Sequence, residues 1–408
     1  MSNKSNFTRR RALGLMGAAA GVGAVAGFTP TKFAIGQQAK IRIGTLLPYS
    51  GTYARLGEAI TNAMVMRFAQ AKDMLGGREY ELIKLDSEAA PPKATENTSK
   101  LVNSEKVDFL VGPVHSGVAM AMAKIAREEG VMTVIPNAGA DQITGPLCAP
   151  NIFRSSFSNW QPGYPMGRVL AEEGKKRVVL CYWNYGAGQQ SAQGFKDGFA
   201  DGLKETGGDG EIVKEIGVPF PDVEFQSVLS EIAALKPDAV YTFFAGGGAV
   251  KFVKDWAAAG LKDSGIELTG AGFLTEGVTE AQGEAAEGIR TTLHYADTLD
   301  NNVNDIFRRN YKEMWGKEAD VYAVQGYDAA ELIRIGLEAV EGDMGARSEM
   351  IAAMEGAIID SPRGPLKLSA AHNPVQNFYL RKVVNGVNTV ERIAVEALSD
   401  PAKGCSMG

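Results

Sequence analysis

From residue 41 onward the chain alternates short β-rich runs with longer segments of helical period, and it does so in two successive series. Residues 41–47, 80–86, 109–111 and 132–135 read as strands, with helical patterns at 57–75, 94–103 and 117–129 between them. After a helix at 165–173 the rhythm restarts: strands at 177–183, 211–218, 239–244 and 266–269 enclose helices at 190–206, 225–235 and 249–259. A helix after each strand returns the chain to the start of the next strand, so the pattern predicts an α/β protein with parallel sheets. Two such series predict two lobes. Helices at 304–315 and 324–340 and extended segments at 366–368, 378–384 and 389–393 do not make a third unit. They are expected to complete the first two, so the chain crosses between lobes more than once. The expected division is residues 40–158 with 295–363 in one lobe and 159–294 with 364–408 in the other.

Residues 1–39 stand outside this rhythm. Thr8-Arg9-Arg10-Arg11-Ala12-Leu13 precedes a mild apolar run from Gly14 to Phe28, with small residues at Ala24-Val25-Ala26. That is the form of an export signal, and the paired arginines point to the twin-arginine route. The run is Gly-rich and too short to span a hydrocarbon core of ~30 Å. The mature protein is therefore expected in the periplasm. The segment holds five cations and no acid, so its removal takes the formal charge from −6 to −11. An acidic surface argues against nucleic acid or an anionic membrane as partner, because both reward clustered Lys and Arg.

Three cysteines are present. Cys181 lies in an apolar strand pattern and is expected to be a free core thiol. Cys148 and Cys405 sit in irregular Pro/Gly-bearing segments, where an oxidising compartment favours a disulfide between them. No Cys-x-x-Cys or His-x-x-x-His spacing occurs, and the histidines are His115, His294 and His372, so no metal is expected. No cofactor is expected either. The glycine pattern Gly21-Val22-Gly23-Ala24-Val25-Ala26-Gly27 lies in the export signal with no strand before it, and no phosphate-binding Gly-x-x-x-x-Gly-Lys-Ser/Thr loop exists. Ser116 has no Gly-x-Ser-x-Gly context, so the chain is not read as an enzyme.

Ligands of open α/β sheets bind beyond the carboxyl ends of the strands, which directs attention to the loops there. These run Pro48-Tyr49-Ser50-Gly51-Thr52-Tyr53-Ala54-Arg55, Gly112-Pro113-Val114-His115-Ser116-Gly117 and Pro136-Asn137-Ala138-Gly139-Ala140 in the first series. In the second they are Asn184-Tyr185-Gly186-Ala187-Gly188, Phe243-Phe244-Ala245-Gly246-Gly247-Gly248 and Gly270-Ala271-Gly272-Phe273-Leu274. Small residues let backbone N–H groups approach a ligand, and helix starts at Ser116 and Gly188 favour anionic groups.

These loops, with Ile43-Gly44-Thr45-Leu46-Leu47-Pro48-Tyr49-Ser50-Gly51, Asn151-Ile152-Phe153-Arg154 and Ala286-Glu287-Gly288-Ile289, give the chain a form that resembles the leucine/isoleucine/valine-binding family of substrate-binding proteins. Such proteins serve ABC importers. The resemblance implies two Rossmann-like lobes, hinged by three crossings, that close as a monomer on one small solute and hand it to a membrane permease. It places a ligand carboxylate on Ser116 and on the loop of Asn137, Ala138 and Gly139. Relatives that bind amino acids put a hydroxyl in that second loop, where this chain has Gly139, and hold the ammonium with two acids, where this chain has Asn159 and either Gly272 or Phe273. With both acids missing, an α-amino acid is disfavoured. Phe157, Trp160, Tyr185, Phe244 and Phe273, joined by Tyr53, suggest instead an aromatic wall for a flat ring, so the subfamily that imports benzoate- and hydroxycinnamate-like acids looks nearest. Arg55 and His115 each have two readings, a contact to the ligand or a position away from it. A branched-chain amino-acid binder and a receptor subunit for a separate membrane sensor are the alternatives.

Overall fold

The computed structural model describes residues 39–407, so the segment expected to be an export signal lies, but for Ala39, outside the described residues. Among the described residues, fifteen strands make two sheets. In chain order they are β1 (Ile41–Leu47), β2 (Met74–Leu75), β3 (Arg78–Asp86), β4 (Phe109–Val111), β5 (Met132–Ile135), β6 (Ile152–Arg154), β7 (Arg177–Trp183), β8 (Glu211–Val218), β9 (Ala239–Phe243), β10 (Glu267–Ala271), β11 (Arg290–Leu293), β12 (Ile358–Ser361), β13 (Gly364–Leu368), β14 (Pro374–Val384) and β15 (Val387–Leu398). The first sheet has the order β2-β3-β1-β4-β5-β6 and is parallel apart from the short edge strand β2. The second runs β12-β13-β14-β11-β10-β9-β7-β8, with β15 paired to β14. Strands β7 to β11 are parallel there, and β14 joins β11 antiparallel. The two-lobed α/β architecture is thus the one the alternation implies.

Burial explains the strand compositions. In β1 every residue but Arg42 is buried, because a central parallel strand is covered by helices on both faces. The helix Ser116–Glu128 buries Val118, Ala119, Met122, Ala123 and Ala126, a stripe at helical period against the first sheet. Helix Ala54–Gln70 packs on helix Val321–Ala339, with Arg67 and Glu331 paired at 2.7 Å at their contact. The chain leaves the first sheet at Ser155, returns to that side after β11 and enters the second sheet again at β12.

Several elements differ from the sequence pattern for local reasons. The helix expected over 57–75 ends at Gln70, because Lys72 and Asp73 adopt left-handed backbone (φ 57° and 56°) and turn the chain into β2. The helix expected to begin at 324 begins at Val321, where the Asp320 carboxylate accepts a hydrogen bond from the Ala323 N–H at 3.0 Å. Strands β11 and β12 and the helix Arg347–Glu355 carry no clear periodicity and were not expected.

Cys148 and Cys405 form a disulfide with a Cα separation of 5.6 Å, and Cys181 is a buried free thiol. The bridge ties the tail that follows β15 of the second sheet to the loop before β6 of the first. Beside it, Thr144 donates a hydrogen bond to Asp400 at 2.7 Å. Near the crossings Arg363 is buried: it donates to the Ser156 carbonyl at 3.2 Å, to Gln376 at 2.8 Å and to Asp328 at 2.7 Å. Burial raises the Asp328 carboxyl to about 6 despite its partner.

Candidate functional site

Helices Trp160–Glu172 and Gly186–Thr206 lie backbone to backbone, and glycines make this possible. A Cβ on Gly194 would stand 2.1 Å from the Trp160 carbonyl oxygen, and one on Gly198 only 1.9 Å from that of Tyr164. The contacts advance in step along both helices, so their N-termini lie at the same end. The residues capping those ends, Asn159 and Tyr185, therefore both reach the cleft.

There they meet residues from the first lobe around a small, partly open cavity of about 20 Å³. Of the residues anticipated from sequence, Tyr53, Ser116, Asn137, Gly139, Phe157, Asn159, Tyr185 and Phe273 line it together. Leu56, Val114, Ala187, Phe243, Ala245 and Tyr322 complete the wall. Six helix starts supply lining residues: Tyr53 with Leu56, Ser116, Asn159, Tyr185 with Ala187, Ala245 and Tyr322. The helix starts that follow parallel strands reach the cleft because those strands point their carboxyl ends toward it, whereas the helix of Tyr322 follows another helix.

Polar groups on the wall are held in place by a chain of amides. The Asn159 amide donates to Ser116 Oγ at 3.1 Å and to Gln190 at 2.8 Å, and the Gln190 carboxamide oxygen accepts from the Asp141 N–H at 3.1 Å. Asn137 donates to Gln325 at 2.8 Å, which lies 3.2 Å from Nε2 of His294. Tyr53 and Tyr185 hydroxyls are 3.0 Å apart. Burial pushes the phenols of Tyr53, Tyr185 and Tyr322 above the ordinary tyrosine value, so they are neutral donors. Phe157 and Phe273 rings meet at 4.9 Å, and Phe273 in turn stacks on Tyr322. Among the described residues, none that lines this cavity carries a formal charge.

Gly139 has a steric reason to be glycine. A Cβ there would stand 2.4 Å from Asn159 Oδ1 and 2.8 Å from the Phe157 ring. Here the space that a hydroxyl side chain would need is taken by an amide and a phenyl ring.

The other anticipated residues lie elsewhere. His115 is one layer behind the wall, stacked on Tyr185 with centroids 4.6 Å apart, and its Nδ1 accepts from the Gly117 N–H at 3.0 Å. Burial lowers it to about 4, so the ring is neutral with its proton on Nε2. Ala138 is buried, with its N–H given to the Pro113 carbonyl. Trp160 stacks on Tyr164 and donates its indole N–H to Asp197 at 2.9 Å, on the flank of the second lobe. Phe244 packs among Trp183, Phe225 and Phe252 in the second-lobe core. Gly272 is interior backbone whose carbonyl accepts from Arg381 at 3.0 Å. Arg55 is exposed and lines a separate opening of about 520 Å³ with Asp297, Arg308 and Asp320.

One acid of the β10 loop escaped the sequence reading. Glu276 is buried, but its carboxylate is paired with Arg381 at 2.6 Å and accepts from the Val321 N–H at 2.7 Å. It bridges the second lobe to a helix start of the first and does not line the cavity. Tyr322 was missed because the helix start was placed three residues late, although Asp320 offers a capping signal.

Two α/β lobes that flank a neutral, ring-lined cavity at their converging helix starts define a solute-binding protein of the two-lobed type. The chain belongs to the periplasmic binding protein family, whose model matches residues 40–388, and it is an ABC-type solute-binding protein of the leucine/isoleucine/valine-binding kind. Proteins of this family work outside the cytoplasm. The chain is 30% identical over 349 residues to Leu/Ile/Val-binding protein homolog 6 of Brucella melitensis, covering 84% of this chain and 87% of that one. It is 53% identical to an ABC-transporter solute-binding protein of R. palustris solved in complex with benzoate, with a TM-score of 0.86 and coverage of 90% and 100%. A second such protein, from Rhodopseudomonas palustris BisB5 in complex with 3,4-dihydroxybenzoic acid, is 31% identical with a TM-score of 0.83, covering 89% of this chain and 99% of that one.

Proposed function

We propose that this protein captures one small aromatic carboxylate, benzoate- or hydroxycinnamate-like, between its lobes and delivers it to the permease of an ABC importer. The observation that carries this reading is the wall itself: six helix starts, neutral hydroxyl and amide donors, and no charge. A carboxylate placed at a helix start gains charge-assisted hydrogen bonds and the favourable end of the dipole, with Ser116 as the first donor. An α-ammonium in the same place would lose its hydration with no acid to pair it, at a cost of several kcal/mol. The rings of Phe157, Phe243 and Phe273 offer a flat ligand edge and face contacts. The relatives solved with benzoate and 3,4-dihydroxybenzoic acid support the same ligand class.

Titration calorimetry of the mature protein with benzoate, hydroxybenzoates and hydroxycinnamates, beside leucine and valine, tests the proposal. Binding of at least one aromatic acid at one site per monomer is expected. Tight leucine or valine binding with no response to the aromatic acids would overturn it. Export by the twin-arginine route belongs to the same reading, and replacing Arg9 and Arg10 by Lys is expected to abolish periplasmic accumulation.

A further inference from the structure

Tyr322 is the second residue of helix Val321–Ala339, fixed there by the Asp320 cap, and its ring forms part of the cavity wall against Phe273. The side chain is 1% exposed, yet its hydroxyl has no hydrogen-bond partner in the protein. The other two phenols of the wall, Tyr53 and Tyr185, satisfy each other. Nearby acids do not serve Tyr322. Glu276 is committed to Arg381 and the Val321 N–H, and Asp320 to the Ala323 N–H. A buried hydroxyl left without a partner costs stability, so natural structures rarely keep one unless something else fills the role.

We infer that Tyr322 is a specificity residue, whose hydroxyl bonds an oxygen substituent on the ring of the captured acid and so selects hydroxylated aromatic acids over unsubstituted benzoate. The inference rests on the proposed aromatic-acid function and deepens it. A site built to bond a ligand hydroxyl rejects the analogue that lacks it, because the site's own polar group is then left unpaired. Burial keeps the phenol protonated, so Tyr322 can donate to a ring oxygen of the ligand or accept from its hydroxyl. Ser116 holds the acid group from another helix start, so the two contacts fix the ring's orientation as well as its identity.

Calorimetry with benzoate, 3-hydroxybenzoate and 4-hydroxybenzoate, on the wild type and on Tyr322→Phe, tests this. The wild type is expected to bind one of the hydroxy acids at least tenfold more tightly than benzoate, and in Tyr322→Phe that ratio is expected to fall below about threefold. The ligand-free variant is expected to melt no lower than the wild type, since it loses only an unpaired hydroxyl. A ratio that persists in the variant, or a wild type that prefers benzoate to both hydroxy acids, overturns the assignment while leaving the aromatic-acid reading intact. A wild type that binds none of the three acids overturns that reading and this inference with it.

Discussion

The hydroxyls of Tyr53 and Tyr185, which belong to different lobes, lie 3.0 Å apart across the cleft. Tyr53 stands at the end of the first loop of one sheet and Tyr185 at the start of the first helix of the other series. The bond forms only when the lobes are together, so it contributes to the closed state alone. Tyr53→Phe or Tyr185→Phe is expected to weaken an aromatic acid by about 0.5–1.5 kcal/mol, the net worth of a neutral hydrogen bond. The double variant is expected to lose little more than either single one, because one bond is broken in all three. Strictly additive losses in calorimetry would show that the hydroxyls act separately.

Ser116→Ala removes the hydroxyl at the start of helix Ser116–Glu128. It is expected to weaken an acidic ligand by about 1.5–3 kcal/mol, the range for a hydrogen bond to a charged group. An unchanged dissociation constant would place the carboxylate elsewhere on the wall.

The Cys148–Cys405 bridge closes a sequence separation of 257 residues and anchors the tail of the second lobe on a loop of the first. Cys405→Ser is expected to destabilise the oxidised protein by about 2–5 kcal/mol, mainly by freeing the unfolded chain. Urea unfolding with and without reductant measures this. The wild type should fall to the variant's stability on reduction, and the variant should not respond.

Protonation of His115 is opposed by burial, which takes its value in the fold to about 4 from about 6.5 in an unfolded chain. Between those values the unfolded state binds more protons, so this residue's contribution to stability is full above about pH 6.5 and is lost as pH falls toward 4. The imidazole resonances of His115, assigned with a His115→Gln variant, are expected to titrate with a midpoint well below 6. A midpoint at 6 or above would mean that the ring behind Tyr185 is open to water.

How much of this was legible in the chain depends on the range of the forces involved. Alternating strand and helix patterns reveal the two α/β lobes, because each element's periodicity reports which of its own faces is buried. The same logic marked the loops that carry Ser116, Asn137 and Gly139, since strand ends and helix starts are local events, while Asn159 was named only through the resemblance to the leucine/isoleucine/valine-binding family. Side-chain direction was harder to read. Side chains alternate along β9, so ending it at Phe243 instead of Phe244 exchanges the ring that faces the cavity for the ring that faces the core. Trp160 has the composition of a site residue, but its face of the helix turns to Tyr164 and Asp197. The sequence by itself determined the lobes, the switch-point loops and a cavity poor in acids. Only the tertiary structure decided which rings share that cavity, that Glu276 is consumed by Arg381, and that Tyr322 stands there unpartnered. Those facts depend on packing between segments about 100 residues apart, and no local periodicity records them.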